Sequence, residues 1–236
     1  MKYCFFVGNK RSGTTVVNEA LNTHSNAFIA QEADIVSWIM GERHPMDWRD
    51  GYDKCDTILR DASREEPLED LFDKLRRSNA FGFGSEKHNI LCYGDKKPVQ
   101  HLDDKYLKWV EENIENNYYI HVVRHPLGFL HSCGSMEKWK APETKWGKGP
   151  RKLLEFWAAN VEKALKLNAK IVKLEDFLDD PLSVTNDILF NYLGLPEEDL
   201  SLKIRELQIS KRRGMKRSNL EIPLHIKNTC EKIGYD

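Results

Sequence analysis

The segment Phe5-Phe6-Val7-Gly8-Asn9-Lys10-Arg11-Ser12-Gly13-Thr14-Thr15 constrains this chain more than any other. A short apolar run enters a loop bounded by two glycines, and a stretch with helical patterning follows. Backbone N–H groups at such a loop and helix start face one concave point, and the helix dipole adds partial positive charge there. The segment therefore predicts an anion site at a strand-to-helix turn, although a Gly-Thr turn with no ligand would read the same way. It departs from the nucleoside triphosphatase loop, G-x-x-x-x-G-K-[ST], in one respect. Gly8 and Gly13 have the required spacing, but Thr14 stands where the lysine belongs, and the cations Lys10 and Arg11 lie inside the loop. Such a loop still holds a phosphate but lacks the lysine that reaches the β- and γ-phosphates. That points away from ordinary ATP chemistry.

Short apolar runs at residues 3–8, 27–30, 90–93, 118–123 and 169–174 predict strands buried on both faces. Helical patterns separate or follow them at 14–23, 33–41, 67–78, 102–114, 126–136, 151–167 and 181–193. This alternation over 236 residues predicts a single α/β domain of three layers, α/β/α, with a central, mostly parallel sheet. Residues 42–63 and 137–150 lack periodicity and are expected to be loops on the acceptor side. Trp139 and Trp146 in the second either stack on a substrate or pack on the domain. Residues 197–236 are expected to form a C-terminal helical and basic segment.

Charge and cysteine usage exclude some partners. The 36 basic and 37 acidic residues leave a net charge of −1, so no broad positive field favours nucleic acid. Five scattered cysteines without CxxC pairing predict a reducing compartment, the cytoplasm. No secretory leader is visible, and no apolar run reaches the roughly 18 residues of a membrane span.

A second constellation lies at Tyr118–Ser132. A strand-like run ends at Arg124, His125-Pro126 opens a helix, and Ser132 stands eight residues after the arginine. A forked guanidinium at a strand end and a hydroxyl about two turns into the next helix can converge on one dianion. An isolated Arg and Ser would be ordinary structural residues.

The K/R-S-G-T-T loop resembles the 5′-phosphosulfate loop of sulfotransferases that use 3′-phosphoadenosine 5′-phosphosulfate (PAPS). Val122-Val123-Arg124-His125-Pro126 with Ser132 resembles that family's 3′-phosphate site, although many relatives carry Asp or Asn at the His125 position. Ile171–Phe177, Asp180-Pro181 and Leu189–Pro196 resemble its later strand, turn and helix, with Leu174 in place of the usual tyrosine and Gly194 as a helix C-cap. The three matches follow in order from residue 5 to residue 196. The resemblance implies the P-loop-like sulfotransferase fold. It also implies transfer of a sulfuryl group from PAPS to an acceptor hydroxyl, leaving adenosine 3′,5′-bisphosphate, with no metal expected.

By the same resemblance Arg11 is the catalytic cation. Ser12, Gly13, Thr14 and Thr15 bind the 5′-phosphosulfate with Lys10 beside them, while Arg124 and Ser132 take the 3′-phosphate. Lys96, in a K-x-P-like segment ending at Pro98, helps to neutralise the transferring group. Glu32 is either the general base or a cap of the following helix, and His101 is the second candidate base. Arg212-Arg213-Gly214 resembles the C-terminal R-K-G loop around the 3′-phosphate, but the basic run 211–217 can equally be solvated surface or a seat for an anionic acceptor. A carbohydrate or other glycoconjugate is the expected acceptor, with lipid and small-molecule hydroxyls open, as is the oligomeric state. Two other classes stand beside this reading. One is a P-loop small-molecule kinase, favoured only by Gly8, Gly13 and Thr15. The other is a non-catalytic bisphosphate- or carbohydrate-binding relative, against which the presence of Arg11, Glu32 and Lys96 argues.

Overall fold

Side chains alternate between two buried faces along the first strand, β1 (Lys2–Gly8). Cys4 and Phe6 join one apolar cluster, and Phe5 and Val7 join another on the opposite face. This pattern needs helices on both sides of a sheet, and the computed structural model has them. It describes residues 1–42, 53–97, 103–134, 149–207 and 221–235. β1 is joined by β2 (Ala27–Gln31), β3 (Cys92–Lys96), β4 (Asn117–Val123) and β5 (Lys170–Lys173). They form a five-stranded sheet in the order β2-β3-β1-β4-β5, with every pairing parallel. The expected three-layer α/β/α architecture is therefore the one observed.

After β1 the chain moves outward on the β3 side of the sheet, and after β3 it crosses to the β4 side. The loops following β1 and β4 thus sit side by side at the point where the strand order reverses, where open α/β sheets hold their ligands. Helix α1 (Thr14–Leu21) follows β1 and buries Val17, Ala20 and Leu21 against Cys4, Phe6 and Ile29. The further helices are α2 (Ile35–Ile39), α3 (Asp53–Asp61), α4 (Leu68–Arg77), α5 (Asp104–Asn113), α6 (Pro126–Gly134) and α7 (Gly149–Lys166). After β5 come α8 (Leu174–Asp179), α9 (Pro181–Asn186) with a π-helical turn at Asp187–Tyr192, α10 (Ser201–Glu206) and α11 (Leu224–Lys232). Gly194 follows that turn at φ 58, and Leu195 N–H donates to Leu189 C=O at 2.9 Å, a left-handed C-terminal stop.

Three expectations are corrected. The third strand runs Cys92–Lys96 rather than 90–93, because hydrogen-bonded Asp95 and Lys96 are buried where a hydropathy pattern ends the strand. Part of the stretch 42–63 is helix: Cys55 and Leu59 of α3 are buried beside Ala33, Leu71 and Phe72, so this portion belongs to the core. Residues 149–150, expected in a loop, open α7. Trp139, Trp146, Pro98, His101 and the basic run 211–217, including Arg212, Arg213 and Gly214, lie outside the described residues.

Candidate active site

The loop between β1 and α1 closes through three left-handed positions, Gly8 (φ 124), Arg11 (φ 74) and Gly13 (φ 88). Glycine is required at both ends. A Cβ on Gly8 would lie 3.1 Å from the His121 ring, and one on Gly13 would lie 2.4 Å from Leu174 Cδ1. Leu174, the residue that departs from the family's tyrosine, therefore packs directly beneath the loop. Gly13 occupies the N-cap of α1 and contributes no side-chain cap, so the N–H groups of the first turn are left to another acceptor. Ser12 is fully buried, and its Oγ finds no hydrogen-bond partner among the described residues. A phosphate-type anion would satisfy both.

Arg11 joins this loop to the second constellation, with its Nε donating to Ser132 Oγ at 3.3 Å across 121 residues of sequence. Arg124, at the end of β4, is buried. Burial pulls its pKa down from the usual value, the Glu175 carboxylate opposes that shift, and the charge of Arg11 adds to it. Two guanidinium groups that repel each other in a partly desolvated crevice are a receptor for a polyanion. Lys10 is half-buried at the loop's edge, and Thr14 is buried in the first turn of α1.

The other wall stands on β2 and β3. Lys96, the last residue of β3, is 1% exposed, and its Nζ donates to Glu32 Oε1 at 3.1 Å and to Thr15 Oγ1 at 3.5 Å. The three residues thereby link the end of β2, the end of β3 and the anion loop. Glu32 does not cap the next helix. Asp34 holds the N-cap position of α2, and Glu32 turns toward the lysine instead.

That turn requires unusual backbone. Glu32 and Asp34 both adopt left-handed φ, 59 and 58, conformations that cost about 1–3 kcal/mol each in non-glycine residues. Asp95 holds them. Its carboxylate accepts the N–H of Ala33 at 3.0 Å and of Asp34 at 2.6 Å, while Glu32 N–H donates to Lys96 C=O at 3.0 Å. Lys97 pairs with the Asp34 carboxylate. Sequence reasoning missed the role of Asp95, and the signal available was an acidic residue inside an otherwise strand-like run. Asp95→Asn retains one acceptor but turns an N–H toward the other donor, and is expected to cost about 1–2 kcal/mol of stability. The midpoint of a urea unfolding curve reads this, and an unchanged midpoint would remove Asp95 as the clasp of the turn.

Arg11, Ser12 and Gly13 in the loop, Thr15 in the first turn of α1, Glu32 after β2, Lys96 ending β3, Arg124 after β4 and Ser132 on α6 are thus brought to the carboxyl-end side of four neighbouring strands. Among the described residues, no helix is long and apolar enough to cross a membrane.

Comparison with known proteins bears on the family and the fold. A family profile described as the sulfotransferase family matches residues 4–199. No curated protein matches the chain at a significant level. Among solved structures, the sulfotransferase domain from the Synechococcus PCC 7002 olefin synthase superposes with a TM-score of 0.70 at 17% identity, covering 100% of this chain and 95% of that one. The sulfotransferase domain from the curacin biosynthetic pathway gives 0.66 at 16% identity, covering 100% and 98%. A sulfotransferase from Alicyclobacillus acidocaldarius gives 0.54 at 14%, covering 99% and 91%. At these identities the likeness is one of fold.

Proposed function

The chain belongs to the sulfotransferase family, and from that premise we propose that it moves a sulfuryl group from PAPS to an acceptor hydroxyl on a carbohydrate or other glycoconjugate. The observation that carries the proposal is the bridge from Arg11 to Ser132, which joins a loop suited to a 5′-phosphosulfate to an arginine–serine pair suited to a 3′-phosphate. Neither half alone would select PAPS over another nucleotide.

When bound, PAPS supplies the sulfuryl group and leaves as adenosine 3′,5′-bisphosphate. Ser12, Gly13, Thr14 and Thr15 hold the 5′ end through loop N–H groups and hydroxyls, with Lys10 at the rim. Arg124 and Ser132 hold the 3′-phosphate, and Arg212, Arg213 and Gly214 add further contacts to it. Arg11 faces the oxygen on which negative charge grows as the leaving phosphate departs, where a fixed cation gives its largest benefit. Lys96 neutralises the transferring group from the opposite wall. Glu32 accepts the acceptor hydroxyl's proton, with Lys96 holding the carboxylate in place beforehand. The five cysteines are all free and buried, which supports a reducing compartment such as the cytoplasm as the site of action.

Calorimetric titration with adenosine 3′,5′-bisphosphate, AMP and Mg-ATP tests the cofactor. Wild type is expected to prefer the bisphosphate without magnesium. Arg124→Ala is expected to weaken the bisphosphate by about 10–100-fold, the worth of hydrogen bonds to a charged group, and to leave AMP unchanged. Preference for Mg-ATP would replace this reading with a kinase. A panel of carbohydrate, lipid and phenolic hydroxyls with labelled PAPS then assigns the acceptor.

A further inference from the structure

The peptide unit between Arg124 and His125 is gripped at both of its polar ends by side chains. Trp157 Nε1–H, from α7, donates to the Arg124 carbonyl at 2.9 Å. On the other end, His125 N–H donates to Glu175 Oε1 at 3.1 Å. The second oxygen of that carboxylate accepts the Tyr235 hydroxyl at 2.5 Å, and the same hydroxyl lies 3.4 Å from the Val123 carbonyl. The Tyr235 ring meets the His125 ring edge-on, with centroids 5.3 Å apart. Lys173 lies over the tyrosine ring and donates to Gly234 C=O at 2.7 Å. Burial, reinforced by the charge of Glu175, raises the tyrosine's pKa far above its usual value, so the hydroxyl stays a donor.

Gly128 completes the mounting. A Cβ there would lie 2.8 Å from Arg124 Nε and 3.4 Å from its Cγ, so the arginine side chain lies against the bare backbone of α6. No left-handed φ demands a glycine at this position. The requirement comes from the arginine.

We propose that Glu175, Tyr235 and Gly128 are positioning residues that aim Arg124 and thereby set selectivity for a nucleotide bearing a 3′-phosphate. The proposal rests on the assignment of Arg124 to that phosphate. Glu175 and Tyr235 fix the backbone from which the side chain springs, and Gly128 fixes the surface along which it lies. A guanidinium can make two parallel hydrogen bonds to a phosphate only when its plane is set in advance. The carboxylate of Glu175 also supports the charge of Arg124 against burial.

The test compares adenosine 3′,5′-bisphosphate with AMP, because general damage weakens both nucleotides, whereas misaiming Arg124 weakens only the first. Tyr235→Phe keeps the ring and removes one hydroxyl, and is expected to lower bisphosphate affinity by about 3–10-fold, the worth of one hydrogen bond, with AMP unchanged. Glu175→Gln and Gly128→Ala are expected to lower the bisphosphate-to-AMP ratio in the same direction. In an Arg124→Ala background all three should add nothing further, since the residue they act through is gone. Should Glu175→Gln fail to fold, Tyr235→Phe and Gly128→Ala carry the comparison. Wild type that binds AMP and the bisphosphate equally would overturn the assignment of Arg124 and this inference with it. A wild-type preference that survives intact in Tyr235→Phe and Gly128→Ala would overturn the inference alone.

Discussion

Replacing Lys96 with methionine is expected to cut sulfuryl turnover by about 10²–10³-fold, the usual worth of one preorganised donor in a protected site. Methionine keeps an unbranched apolar stem and removes the ammonium group with its charge and its N–H donors. That charge is almost wholly shielded from solvent, 3.1 Å from Glu32 Oε1 and 3.5 Å from Thr15 Oγ1, between the proposed base and the anion loop. Bisphosphate affinity should change little, because Arg124 and Ser132, the residues proposed for the 3′-phosphate, stand after β4 and on α6 rather than on β3. Glu32→Gln should also slow turnover with little effect on bisphosphate binding. The double variant should lose less than the product of the two single losses, as expected of groups in contact. Single-turnover formation of labelled product separates the possibilities. An unchanged kcat with a raised KM for PAPS would make Lys96 a ground-state binding residue and would end its role in transfer.

The parts of this molecule legible in its sequence are those in which one short segment carries its own physics. β1, β2, β4 and β5 were visible because strands buried on both faces are nearly continuous apolar runs. The anion loop was visible because Gly8, Arg11, Ser12 and Gly13 fall within six residues of one another. β3 begins two residues and ends three residues later than expected, for the opposite reason. Its last three residues, Gly94, Asp95 and Lys96, include two charges buried by hydrogen bonds to β2 and the turn after it, and hydropathy does not count hydrogen bonds. Helix α3 carried an apolar pattern at Cys55, Ile58 and Leu59, but three acidic residues within nine obscured it, as did Pro45 and Gly51 upstream.

Long-range partners could not be read at all from residue chemistry. The bond from Arg11 to Ser132 spans 121 residues, and the family resemblance had placed the two residues at different phosphates. Glu175 carried no role beyond its place in a segment resembling the family's later strand and turn, yet its carboxylate lies against the peptide that follows Arg124, with Tyr235 arriving from 60 residues downstream. Buried Asn9 of the anion loop likewise meets Asn160 of α7 at 2.7 Å across 151 residues. Polar contacts of this kind leave no periodicity, because each depends on one donor and one acceptor that the fold alone brings together.

Gly94→Ala is expected to be the most destabilising single methyl that the central sheet can receive, at about 3 kcal/mol, the upper part of the range for overpacking. Gly94 sits in β3 opposite Cys4 of β1 and Ile29 of β2. A Cβ there would lie 2.2 Å from the Cys4 carbonyl oxygen and 3.1 Å from its carbon. Both are backbone atoms, so no side-chain rotation relieves the overlap, and the two strands must part or bend. For a chain of this size the loss corresponds to a fall of about 6–12 °C in Tm. Turnover should fall as well, because Lys96 is two residues further along the displaced strand. Gly134→Ala is the matched control. It lies at the end of α6 with nothing among the described residues within 4 Å of an added Cβ, and is expected within about 1 kcal/mol of wild type, on the stabilising side. Equal melting temperatures for the two variants would mean that β1 and β3 separate without cost. The pairing between them would then not be the rigid base on which Lys96 and the anion loop are held in register.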